Sequence, residues 1–240
     1  MKNQYFGDRN DFFKYDLVLT LIEKIDSLKC FTFIPMLTQD DGSGDGGLTD
    51  YDGRRRKELE SFLKSCIRKS NRNIKNLYSF FSNYENPEYH AYKDDEYFLH
   101  AGRKQYFDGV DSSIFYRAAI LIDPDNGFEV KSMRSGNGHK YLKYSELSTL
   151  YDRMDSESLI LVYQHIPRTR REDYFAKIGQ KICDCVNTRN PLCLSDNRVA
   201  FFIMAKTDKL LNKTWKAVGD YAKENGYYAY MRLSSNLEFK

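Results

Sequence analysis

Ala118-Ala119-Ile120-Leu121-Ile122-Asp123-Pro124-Asp125-Asn126-Gly127 runs from five consecutive apolar residues into two acids, an amide and a glycine. A continuous apolar run closed by an acid is the pattern of a central strand in a parallel sheet whose two faces are both covered by helices. Pro124 fixes φ and Asn126-Gly127 readily takes positive φ, so a tight turn is expected directly after the strand. Ligands of open α/β sheets bind beyond this carboxyl edge. Asp123, Pro124, Asp125 and Asn126 are therefore candidate catalytic residues, set against the plainer reading of a turn with solvated acids.

The pattern repeats on the C-terminal side. Ser158 to Gln164, SLILVYQ, reads as a second apolar strand ending in polar chemistry at Gln164 and His165, and Val199 to Ala205, VAFFIMA, reads as a third. Helical periodicity is expected over 143–152, 172–186 and 210–224, and a last strand over 227–233. On the N-terminal side, residues 11–28 place Phe13, Leu17, Leu21 and Ile25 four apart and read as an amphipathic helix. Residues 30–37 read as a strand, and the Gly/Asp-rich stretch 38–53 as a long loop of the kind that binds ligands. From 54 to 84 the pattern is helical, ended by Pro87; residues 88–117 mix an alternating portion with a short helix near 103–110. Strands alternating with helices imply βαβ units. The expected fold class is α/β: a Rossmann-like three-layer sandwich with a mostly parallel central sheet, one domain over 1–240, and a largely helical insertion at 54–117.

With 240 residues, 41% hydrophobic and 30% charged, the chain can bury a sizeable core and is neither disordered nor membrane-spanning in composition. No apolar run approaches the roughly 20 residues of a bilayer-crossing helix, and Met1 to Phe6 lacks a secretory apolar stretch. A cytoplasmic location with no membrane partner is the expectation. Five scattered cysteines do not describe a disulfide framework, and reduced thiols are expected. Cys183 and Cys185 lie closer in sequence than the usual zinc spacing. The net charge of +3 is too small to announce nucleic-acid binding. Arg54 to Lys57, Arg68-Lys69 with Arg72, and Arg168 with Arg170-Arg171 are local basic clusters, so Arg54, Arg55 and Arg168 are candidate contacts to an RNA or DNA substrate.

Two further constellations precede or follow the strands. Gly7-Asp8-Arg9-Asn10-Asp11 leads into the first helix, where Lys14 and Tyr15 lie one turn in. Asp8 or Asn10 can cap that helix, and Lys14 can present a cation to an anionic ligand at the sheet edge. His165 follows a strand directly and is the side chain best suited to proton transfer near neutral pH. His90, His100 and His139 have no comparable setting.

The order of these motifs resembles the bacterial methyltransferase family that modifies an adenine N6 in large-subunit ribosomal RNA, within the Rossmann-like S-adenosylmethionine-dependent superfamily. Gly7-Asp8, Asp11, Lys14 and Tyr15 match that family's first-helix segment, and Ile122-Asp123-Pro124-Asp125-Asn126 is similar to its strand ending in Asp-Pro-Pro-Tyr. The resemblance implies S-adenosylmethionine as cofactor. It also implies Asp123 as side-chain acceptor for the target amino group, and Pro124 as the source of an accepting carbonyl. Gly7, Asp8, Lys14, Tyr15, Asp45 and Gly46 are the implied cofactor-binding candidates. Two departures stand out: Asn126 replaces the aromatic that stacks on the base, and residues 36–47 replace the glycine-rich cofactor turn.

Two other readings use the same residues. Asp123, Asp125, Glu129 and Lys131 could form a Mg²⁺-dependent nuclease site, with the three acids as metal ligands. A sheet-edge module that binds a nucleotide without turnover is the third.

Overall fold

The computed structural model describes every residue except 43–45, 52–55, 187–190, 234–235 and 240, and of 231–233 and 236–239 the backbone alone. Helix α1 (Arg9–Lys24) is followed by β1 (Cys30–Ile34), α2 (Lys57–Arg68), α3 (Asn76–Phe81), β2 (Glu88–Ala91), α4 (Arg103–Asp108) and β3 (Ala118–Ile122). Two short strands come next, β4 (Gly127–Phe128) and β5 (Tyr141–Leu142), then α5 (Tyr144–Arg153) and β6 (Leu159–His165). The chain continues through α6 (Arg171–Cys185), β7 (Leu192–Ser195), β8 (Val199–Ala205), α7 (Asp208–Asn225), β9 (Tyr228–Leu233) and β10 (Asn236–Phe239).

The main sheet has the order β10-β9-β7-β8-β6-β3-β1-β2. Strands β2, β1, β3 and β6 pair in parallel, and every pairing from β6 to β10 is antiparallel. The sheet is thus mixed, although only β8 and β9 run against the other strands. The expected α/β three-layer architecture is present, because alternate residues of each strand feed two separate cores. Phe31, Phe33, Leu121, Leu161 and Phe201 face α1, α2, α3 and α7. Ile34, Ile120, Ile122, Val162 and Phe202 face α4, α5 and α6. Each fully buried side chain of this size contributes about 1.5–3 kcal/mol of hydrophobic stabilisation.

Segment 54–117 differs in detail from its expected form. The helical stretch is broken between α2 and α3, and β2 joins the sheet as its edge strand. The connection after α6, read as polar, contains β7; Leu192 to Ser195 is too short for its alternation to register. The first strand stops at Ile34, where Met36 takes a positive φ of 42°. No helix among the described residues is long and apolar enough to cross a membrane, and all five cysteines are free.

Candidate functional site

Chain order places the site. After β1 the chain crosses to β2 on one side, then returns to β3 on the other, so the sheet's connections diverge between β1 and β3, where α/β sheets open a ligand crevice. A cleft of about 430 Å³ opens there, and Lys14, Asp123, Asp125, Tyr163 and His165 are among the residues lining it.

Asp123 follows β3, and its backbone N–H donates to the Ile34 carbonyl of β1 at 2.9 Å. The following turn is held from two sides. Asn126 N–H donates to Lys140 O at 2.9 Å, and His165 N–H donates to Asn126 O at 3.2 Å. Gln164, buried at the end of β6, locks it further: its Oε1 accepts from Phe128 N–H at 2.7 Å, and its Nε2 donates to Asn126 O at 3.0 Å. Gly127 has φ +111°, and an added Cβ would lie 2.2 Å from the Gln164 amide. Only glycine fits that close approach.

From the opposite wall, α1 delivers Lys14. Asp8 caps the helix by accepting from Asp11 N–H at 2.8 Å, a favourable placement for a carboxylate. One turn on, Lys14 Nζ donates to Asp11 Oδ1 at 2.9 Å and to Asp123 Oδ2 at 2.8 Å, and lies 4.3 Å from the centre of the Tyr163 ring. The second oxygen of Asp123, Oδ1, is buried and has no hydrogen-bond partner. Asp125 Oδ1 and Asn10 Oδ1 are likewise buried without hydrogen bonds, and all three residues line the cleft. Asp125 is balanced by charge: the Met1 amino nitrogen lies 3.5 Å from its Oδ1 and Lys2 Nζ 3.7 Å from its Oδ2. Met1 also donates to the Asp123 carbonyl at 3.1 Å. Lys2 pairs with Asp41 at 2.5 Å and donates to Tyr5 Oη at 3.1 Å.

These contacts set the protonation states. Burial lowers the Lys14 pKa, but Asp11 and Asp123 outweigh it and hold the ammonium charged well above its ordinary value. One ammonium serves two carboxylates, so Asp11, pushed up by burial and by Asp123, is also raised. Burial raises Asp125, yet the Met1 amino group, Lys2 and Lys140 pull it below the usual carboxylate range. His165 is lowered by loss of hydration and by Lys14, against the pull of Asp123 and Asp125. The imidazole is therefore neutral at pH 7 and able to accept a proton.

Burial, then Asp11, pushes Asp8 up to about 7 from 3.8. A native carboxyl that holds its proton more tightly than the unfolded chain favours folding below pH 3.8, and this advantage is lost as pH rises to about 7. Asp8→Asn is expected to flatten the fall in unfolding free energy across that window. Urea titrations at several pH values check this, and an unchanged slope would contradict the burial of Asp8.

The cleft brings together Asp123, Pro124, Asp125, Asn126 and His165 with Asp8, Lys14 and Gly46. Gly7 and Tyr15, expected at a cofactor, are elsewhere. Gly7 makes the turn before α1 at φ +85° and donates to Asp11 Oδ2 at 3.1 Å. Tyr15 is fully buried against Phe6, Phe31 and Phe33, because adjacent helix positions lie about 100° apart and Lys14 takes the cleft side. Arg168 is exposed and does not line the cleft; Asp45, Arg54 and Arg55 lie outside the described residues. Arg56 pairs with Asp16 and Glu23, and Arg72 donates to the Gln4 and Gly46 carbonyls, so neither cluster is wholly available to phosphate.

The nuclease constellation does not assemble. Glu129 accepts from Tyr144 N–H at 2.9 Å at the start of α5, Lys131 is exposed, and neither lines the cleft. Strand β4 pairs with β5 in parallel rather than forming a hairpin arm. Asp123, Asp125 and Glu129 therefore do not converge on one ion. Residues not proposed from sequence for catalysis or binding also line the wall, among them Met1, Lys2, Tyr5, Asn10, Lys140 and Tyr163. The Asp11-x-x-Lys14 spacing was a usable signal for the helix pair, and Tyr163 stands two residues before His165 on one strand; nothing local marks Lys140.

No family model matches the chain, and no curated protein matches it. The functional reading therefore rests on the chemistry of the cleft.

Proposed function

We propose that the chain is a methyltransferase-like enzyme acting on nucleic acid, with S-adenosylmethionine as methyl donor and a base amino group as acceptor. One observation carries the reading: Asp123 Oδ1 is buried at the cleft without a partner while Oδ2 is fixed by Lys14. A buried acceptor left open calls for a donor from the ligand. An exocyclic amino group supplies such a donor, and the Pro124 carbonyl is the second acceptor the resemblance implies. Asp41 is offset by Lys2, which eases the approach of a carboxylate past the loop.

S-adenosylmethionine, when bound, supplies an electrophilic methyl on a sulfonium. The chain's residues do the rest. Asp123 orients the amino nitrogen, Lys14 holds that carboxylate in place through Oδ2, and the neutral His165 stands ready to take the proton released from nitrogen. Tyr5 and Tyr163 are the aromatic rings at the cleft, where the family motif's own aromatic is replaced by Asn126.

Calorimetric titration with S-adenosylmethionine and S-adenosylhomocysteine, with labelled methyl transfer to RNA and DNA, tests the reading. Binding to the wild type is expected, with transfer falling by about 100-fold or more in Asp123→Ala. No heat at millimolar ligand would overturn it. Binding without transfer to any nucleic acid would reassign the cleft to recognition alone.

A further inference from the structure

At the opposite end of the sheet, Cys30 and Glu88 are the first residues of β1 and β2 and sit directly across from each other in the parallel register. His90 is two residues beyond Glu88. Side chains alternate along a strand, so all three project from the same face. Their ligand atoms, one each of thiol sulfur, carboxylate oxygen and imidazole nitrogen, lie within 4.8 Å of one another. His90 Nε2 is 3.3 Å from Glu88 Oε1. Among the described residues no other group of His, Cys, Asp or Glu comes together in this way.

We propose that Cys30, Glu88 and His90 bind a divalent transition metal of the zinc type. The donor set decides the class: a sulfur and an imidazole select zinc-like ions over Mg²⁺ or Ca²⁺, which take oxygen ligands. Thiolate and carboxylate together cancel the 2+ charge. Tetrahedral zinc bonds place ligand atoms roughly 3.5 Å apart, so a small closing of side chains completes three positions. Glu88 is exposed and β2 has only one neighbour in the sheet; the fourth position therefore opens to water. The ion would clamp the edge strand to β1, far from the cleft at the carboxyl ends. Metal binding requires the thiolate, so one proton leaves sulfur and affinity increases with pH.

Titration of the metal-free chain with Co²⁺ under a non-thiol reductant tests the site. One equivalent is expected to produce a near-ultraviolet thiolate-to-cobalt charge-transfer band, displaced by Zn²⁺, and Zn²⁺ is expected to raise the melting temperature. Cys30→Ser should abolish the band, and Glu88→Gln, at an exposed position that folding does not need, should weaken Zn²⁺ binding by about tenfold. The double variant Cys183→Ser/Cys185→Ser should keep the band. Absence of the band in the wild type, its persistence in Cys30→Ser, or its loss in the double variant would each overturn the assignment.

Discussion

Replacing Lys14 by methionine is expected to destabilise the fold by about 3–5 kcal/mol at neutral pH, the range for removing one partner from a buried ion pair. Lys14 is 4% exposed, Asp11 0% and Asp123 1%, so water cannot take over the lost interactions. Methionine fills much the same volume, which confines the loss to charge. Two carboxylates that now repel each other remain inside the protein. The pH dependence follows in sign. Asp11 already binds its proton more tightly in the native state than in the unfolded chain, and without the ammonium it does so more strongly. The penalty for burying it charged is escaped by protonation, so the deficit shrinks as pH falls from neutral toward the ordinary carboxylate value. Adding Asp123→Asn removes one of the stranded charges and should recover part of the loss. Denaturant unfolding of the single and double variants at two pH values measures all of this. A cost below about 1 kcal/mol, the range of exposed pairs, would show that the three groups do not share a buried site.

Gly127→Ala is the second large expected effect, about 2–4 kcal/mol. Positive φ at +111° is strained for any L side chain, costing about 1–3 kcal/mol. The new methyl would also meet the Gln164 amide, which has little room to leave: Nε2 shares its two hydrogens among Asn126 O, His165 O at 2.7 Å and Tyr174 Oη at 2.9 Å. Expelling it breaks several hydrogen bonds worth about 0.5–1.5 kcal/mol each. Because those bonds shape the turn carrying Asp123 and Asp125, ligand binding should fall along with stability. Gly136→Ala serves as control. A Cβ there meets nothing within 4 Å, and the change should stay within about 0.5 kcal/mol. Equal effects at the two positions would contradict the described packing of the turn.

The strands that form the middle of the sheet were legible because their signal is local. Ala118 to Ile122 and Val199 to Ala205 are apolar at every position since helices cover both faces, and no partner need be known to see it. Helix α1 was legible from its four-residue spacing. Strand β7 and the two-residue strands β4 and β5 were not. Their existence depends on pairing with β8 and with the more distant β9, or with each other, which their own few residues do not announce. The candidate site divides in the same way. That Asp123 ends a buried strand, and that Lys14 stands three residues after Asp11 on one helix face, follow from order and periodicity.

That Lys14 reaches Asp123 across 109 positions, that Tyr15 turns inward while its neighbour faces the cleft, and that Glu129 and Lys131 turn away from it are consequences of folding. So is the meeting of Cys30 with His90, a histidine that had no distinguishing setting along the chain. The amino-acid order by itself determined which segments are strands buried on both faces and where polar groups cluster at their ends, because hydrophobic periodicity and turn chemistry act within a few residues. Tertiary structure alone decided which of those polar groups face one another, because that depends on strand register and on the rotation of each helix, set by packing between segments distant in sequence.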